Sequence, residues 1–243
     1  METETTSEKK DAMQNFSTPV AIILAGALIA GAVYMSNSKA PAGTTLGGDT
    51  GTQPTANVDV KNVKVTSADP YIGQANAPLT MVAWEDYQCP FCKQFETAVL
   101  PTLMTDYVNT GKLKIVFKDF PFLGNDSITA AEYAHAIWDT YPDKFFAWHQ
   151  AMYKAQDAEG DQGFGDEDSI VKLIGTVPGL DAAKLKALVA KNKTTYDQEA
   201  QDDRAEGGKF GIQGTPGFIV GKQLIAGALP LDNFKTTIDG ELK

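Results

Sequence analysis

The chain has 243 residues, 43% of them hydrophobic, which suits a globular protein of one or two domains and excludes wholesale disorder. Its 31 acidic and 21 basic residues give a formal net charge of -10, and no Lys/Arg-rich stretch offsets it, so the surface repels phosphate backbones and nucleic-acid binding is not expected. Two cysteines cannot staple a disulfide-dense scaffold; separated by only two residues, they read as a reactive pair.

Residues 1–15 form a short polar tail. The block over 19–35 (PVAIILAGALIAGAVYM) carries no charged side chain. Counted from Phe16, a helix over 16–35 spans about 30 Å, the thickness of a hydrocarbon core. Lys9 and Lys10 precede it and Lys39 follows, a bias that places the N-terminus in the cytoplasm and the rest outside, as a single-pass cell-membrane protein. A cleaved signal peptide is the competing reading, since Ser38-Lys39-Ala40 resembles a small-residue cleavage site. Either way the remainder is exported. Residues 36–57, rich in Gly, Thr, Ala and Pro, bury too little apolar surface to fold and read as a flexible linker with a reach of roughly 25 Å.

Residues 58–243 have the size of one domain, with elements that alternate in type. Residues 79–84 (LTMVAW) predict a short apolar strand. A helical pattern follows the cysteines, with Phe91, Phe95, Val99, Leu103 and Tyr107 on one face and a kink expected at Pro101, which lacks a backbone donor. A second strand over 113–117 completes a βαβ unit, whose strands should be parallel. From about 126 to 206 the pattern is helical, with segments over 127–140, 143–155, 166–174 and 181–205, each with Asp or Ser near its start as a cap. Strands over 218–220 and 223–226, joined by Gly221-Lys222, predict a tight hairpin, and a last helix runs over 231–242. The fold class is α/β: βαβ, a helical insertion, then ββα.

The chemistry concentrates at Cys89-Pro90-Phe91-Cys92, where the first strand ends and the first helix begins. A cysteine at a helix N-terminus lies beside unpaired N–H groups and the positive end of the dipole, which lower its pKa and make it a nucleophile. Pro90 suits the first helical position, and one turn brings Cys92 back toward Cys89. Lys93 adds a nearby, solvent-screened cation. No metal site or other cofactor is expected, because beyond this pair the Cys and His inventory holds only His135 and His149, read here as surface or interhelical packing residues.

The run Trp84-Glu85-Asp86-Tyr87-Gln88-Cys89-Pro90-Phe91-Cys92, with Phe210-Gly211-Ile212-Gln213-Gly214-Thr215-Pro216-Gly217-Phe218-Ile219-Val220 far downstream, resembles the thioredoxin-fold thiol:disulfide oxidoreductases of the DsbA type. The resemblance implies a thioredoxin fold, makes the helical block that family's insertion, gives Thr215-Pro216 a cis peptide and sets Pro216 beside Cys89. It implies catalysis by Cys89, Cys92 and Pro216, supported by Pro90, Phe91 and Thr215, on thiol- or disulfide-bearing exported polypeptides; a membrane redox protein is the expected recycling partner, and Glu85 and Asp86 are further supporting candidates. Ala83 stands where the family often has an acid, six positions before the first cysteine, so Glu85 or Asp86 is a candidate proton acceptor or simply a solvated strand-end charge. Gly217 stands where the family more often has a hydroxyl residue, which would loosen the loop. Disulfide introduction is the expected activity. A reductase or isomerase using the same site and a non-catalytic binding protein or chaperone stay open, because thioredoxin-like and DsbA-like potentials span about 150 mV and no single readable feature is worth that much.

Overall fold

The computed structural model describes residues 58–157 and 163–243. The expected tail, anchor and linker over 1–57 lie outside them, and among the described residues no helix is long and apolar enough to cross a membrane. A five-stranded mixed sheet forms the frame, in the order β1 (Tyr71–Ile72), β3 (Leu113–Asp119), β2 (Leu79–Glu85), β4 (Gly217–Val220) and β5 (Gln223–Ala226). β2 and β3 are parallel, as the βαβ reading requires, in register from Leu79 opposite Leu113 to Glu85 opposite Asp119; the other pairings are antiparallel. The two-residue edge strand β1 was not foreseen, because its register comes from pairing Tyr71 with Val116 and not from any apolar alternation of its own.

β2 reads as an unbroken apolar run because both faces of the sheet are covered. Met81 and Ala83 face the larger core with Phe95, Leu103 and Phe218; Val82 and Trp84 face a smaller one with Val116, Phe120 and Ile219. The alternation of strand side chains therefore puts Glu85 on the same face as Ala83, two residues nearer the cysteines.

The helix after β2, here α1 (residues 90–108), alternates α-helical segments at Pro90–Gln94 and Leu100–Leu103 with wider turns at Phe95–Val99 and Met104–Val108. The disturbance expected at Pro101 takes this form. Leu100 N–H reaches back to Phe95 O, five residues away, so the ladder widens just before the residue that has no donor to give.

The insertion comprises α2 (Asn125–Thr140), α3 (Pro142–Ala155), α4 (Glu167–Ile174) and α5 (Ala182–Lys209). Asp166 and Asp181 cap α4 and α5 by accepting from the amides of Ser169 and Lys184. α2 and α3 have no such cap, contrary to expectation; Ser127 lies inside the first turn of α2. α5 runs through Gly207 and Gly208 where a stop was expected; Gly207 serves close packing, since a Cβ there would sit 2.9 Å from the Trp84 ring, whose Nε1 donates to Asp203 O at 3.0 Å. The hairpin forms as expected, with Val220 opposite Gln223 and Gly221 at φ +56°, and α6 (Leu231–Glu241) closes the chain.

Candidate active site

Cys89 occupies the N-cap position of α1 with extended backbone (φ -79°, ψ 120°), and Pro90 takes the first turn, where a missing N–H costs nothing. Both cysteines are free thiols. Their surroundings differ. The Cys89 thiol is pulled down to about 6 by a hydrogen bond from Cys92, against the opposing effect of burial, with further help from the Thr215 side chain and the amides of Cys92 and Phe91. Cys92 is pushed well above the ordinary thiol range by burial, by its bond to Cys89 and by the charge of Glu85. One sulfur is thus a ready thiolate and the other a retained thiol. Phe91 between them is 59% exposed.

The Thr215-Pro216 peptide is cis, and its loop faces the dithiol: Cys89 Sγ donates to Thr215 O at 3.4 Å. A thiolate cannot make that bond. The Thr215 hydroxyl, buried without another partner, is the donor that can turn to the sulfur once the proton is gone. Beside the loop lies a groove of about 380 Å³, lined by Ile212, Gly214, Pro216, Leu224 and Ala226. Gly217 also has a packing reason. A Cβ there would meet Ile212 side-chain carbons at 2.7 and 2.9 Å, so glycine is what lets Ile212 come this close to the backbone after the proline.

Neither acid before the cysteines is solvated, which corrects the strand-end reading. Asp86 is 2% exposed; its Oδ1 accepts from Gln88 N and its Oδ2 from Phe122 N and Leu123 N, so it ties the segment after β2 to the loop after β3. Glu85 is buried on the Cys92 side. Its carboxyl is pushed well up by burial and then by Glu96, while Tyr153 Oη donates to Oε2 at 3.1 Å.

Four residues of the site were missed by sequence reasoning: Glu96 on α1 and His149, Tyr153 and Gln156 along one face of α3 and its end. Gln156 Nε2 donates to Tyr87 O at 2.7 Å and to Cys89 O at 3.0 Å, and Lys93 turns its ammonium onto Gln156 O at 2.6 Å and not toward the thiolate. His149 is no mere packing residue: it is 1% exposed, pairs its Nδ1 with Tyr87 Oη at 2.9 Å, and burial brings it down to about 4, so it is neutral. Among the described residues, Glu85, Glu96 and His149 alone bring three such donor groups within 4.8 Å. The spacing of 149, 153 and 156 was the available signal, since it puts three polar groups on one helical face. His135 sits elsewhere, between Asp119 and Glu199, and takes no part in this site.

The sequence model of the family described as Thioredoxin matches residues 65–240. The probable disulfide bond formation protein D of Bacillus anthracis is 30% identical over 173 residues, covering 71% of this chain and 77% of that protein. Disulfide bond formation protein D of Bacillus subtilis is 29% identical over 174 residues, covering 72% and 77%. Among solved structures, oxidised BdbD from Bacillus subtilis superposes with a TM-score of 0.66 at 28% identity, covering 72% of this chain and 93% of that one. The thiol-disulfide exchange protein alpha-DsbA2 from Wolbachia pipientis gives 0.61 at 28%, covering 71% and 86%. With its dithiol at the head of α1, the chain belongs to the thioredoxin family and, within it, to the DsbA-type thiol:disulfide oxidoreductases.

Proposed function

We propose that this oxidoreductase introduces disulfides into exported polypeptides, held at the cell membrane by a helix over residues 16–35 and a linker over 36–57. A substrate thiolate attacks the sulfur of Cys89 in the Cys89–Cys92 disulfide; the S–S bond breaks and Cys92 leaves with the electron pair. The substrate's second thiolate then attacks its own sulfur in the mixed disulfide and releases Cys89, so two electrons end on the dithiol and the substrate leaves oxidised. Cys92 takes up a proton, and we place Glu85 as its donor, or its acceptor in the reverse direction; Asp86, held by three amides, serves as an anchor. Pro216 and Thr215 border the groove in which an extended substrate would lie by strand addition, and Phe91 stands exposed between the two cysteines. A membrane redox protein would reoxidise the dithiol; the chemistry needs no resident cofactor.

The likeness to disulfide bond formation proteins D carries the oxidative direction, and the asymmetry of the thiols supports exchange at Cys89. A Cys89 thiol at about 6 is stabilised as thiolate at pH 7 by about 1.4 kcal/mol, worth about 30 mV toward oxidising power. That is a fifth of the roughly 150 mV between thioredoxin and DsbA, so the potential itself is the test. Equilibration with glutathione should give a value closer to about -120 mV than to about -270 mV. Oxidation of a reduced peptide should be abolished in Cys89→Ser; equal rates in the two proteins would end the enzymatic reading.

A further inference from the structure

On the buried side of β2, behind the dithiol, three side chains from three elements meet with part of their bonding capacity unused. Glu85, Glu96 and His149 are 5%, 4% and 1% exposed. Oε1 of Glu85 and Oε2 of Glu96 have no hydrogen-bond partner, and Nε2 of His149 and Oε1 of Glu96 face each other without an aligned hydrogen bond. His149 Nε2 lies 3.2 Å from Glu96 Oε1 and 3.7 Å from Glu85 Oε2. A buried polar atom left unpaired costs about 1–3 kcal/mol, and one ligand atom from each of the three groups lies within 4.8 Å of the others.

The outer sides of the same groups are held. Tyr87 Oη meets Nδ1 of His149 at 2.9 Å, and Tyr153 Oη donates to Glu85 at 3.1 Å. A hydroxyl on the far nitrogen of an imidazole and another on a carboxylate are how outer-shell groups orient metal ligands. The spacing fits as well. Ligand atoms bound at about 2.0–2.2 Å around a tetrahedral ion lie roughly 3.4 Å apart, and the two separations from Nε2 fall on either side of that value. The remaining edge of the triangle, at most 4.8 Å, has to shorten when an ion enters.

We propose that Glu85, Glu96 and His149 form a binding site for one divalent transition-metal ion, of which Zn²⁺ best suits two carboxylate oxygens, one imidazole nitrogen and an open fourth position. Binding exchanges protons for the ion: the carboxyls ionise, their protons leave to solvent, and the doubly charged ion balances the two carboxylates. No electron moves. An occupied site would withdraw Glu85 from proton exchange with Cys92, a consequence that rests on the proposed role of Glu85; the site itself rests only on its own residues.

The test uses the full-length chain with the Cys89–Cys92 disulfide formed, so that no thiol can bind metal. After treatment with a chelator, calorimetric titration with Zn²⁺ should give about one equivalent bound, and Co²⁺ should give the visible absorption of a tetrahedral N/O site. Glu96→Gln keeps the shape and removes the ionisable group; it should weaken binding by about 100-fold or more, His149→Gln similarly, and Tyr87→Phe by about 10-fold. Thermal unfolding without metal shows which variants are folded, and if His149→Gln does not fold, Glu96→Gln carries the test. Less than about 0.1 equivalent bound to the oxidised wild type, or equal affinity in Glu96→Gln, overturns the site. Because binding is read on the disulfide form, its failure is independent of whether Cys89→Ser loses oxidoreductase activity.

Discussion

The two sulfurs of this chain differ in what surrounds them more than in where they lie in sequence. Cys89 is served by the amides at the head of α1, by Cys92 and by the Thr215 side chain, whereas Cys92 is enclosed. Alkylation of the reduced protein should therefore show one fast thiol whose rate rises with a midpoint near pH 6, well below the usual value of about 8.5. Cys89→Ser should remove this phase. Because the folded pKa is depressed, ionisation of Cys89 stabilises the reduced fold above the unfolded pKa, and this contribution is lost as pH falls through about 6. Gly217 argues in the opposite sense, from space and not charge. Gly217→Ser restores the family's commoner residue type but drives a side chain into Ile212, and should destabilise by about 1–3 kcal/mol in urea unfolding.

Among the elements, α3 does the most to complete the site. It contributes His149 and Tyr153, and just past its C-terminus Gln156 joins the insertion to the backbone of Tyr87 and Cys89. Gln156→Met keeps the length of the side chain and takes the side-chain donor from Tyr87 O, while Cys89 O keeps its bond from Lys93 N, so it should cost about 1–3 kcal/mol, read as a lower urea midpoint at unchanged slope. α1 has the converse design: its wider turns absorb Pro101 while Phe95 still packs at a tilt against Phe218 and Phe234, with ring centroids 4.5 and 5.3 Å away. Local sequence showed that Pro101 must disturb the helix. The manner, a wider turn and not a sharp kink, is seen only in the folded chain.

Across the whole domain, the insertion is bound to the back of the sheet by a buried ionic network. Lys118 of β3 lies 2.7 Å from both Asp69 and Asp203 and 3.5 Å from Glu206. Lys118→Met would strand these acids without their cation and should cost about 3–5 kcal/mol, measured by thermal or urea unfolding. His135 adds a pH dependence. Burial opposes its charge, but the hydrogen bond to Asp119 and the charges of Asp119, Glu199 and Asp203 prevail and raise it to about 9, with its ring stacked on Tyr196. A raised pKa gives stability that is complete below about 6.5 and lost as pH rises toward 9, so the disulfide form should lose thermal stability over that interval and His135→Gln should flatten the profile. Much of this architecture was legible in the chain itself. The alternation of apolar runs marked the βαβ unit and the hairpin, Asp166 and Asp181 marked two helix starts, and Cys89-Pro90 marked a thiol at a helix head, because each signal is local and repeats with the period of its element. Convergence was not legible. Glu85, Glu96 and His149 come from three elements, and nothing in their local sequence states that they touch; desolvation, which separates Cys89 from Cys92 and a buried Glu85 from a solvated one, arises only when the helices of the insertion close over the sheet. Sequence alone thus determined which atoms can react, through backbone periodicity and the helix terminus, while tertiary packing decided which charges those atoms feel, because distance and water exclusion are properties of the assembled fold.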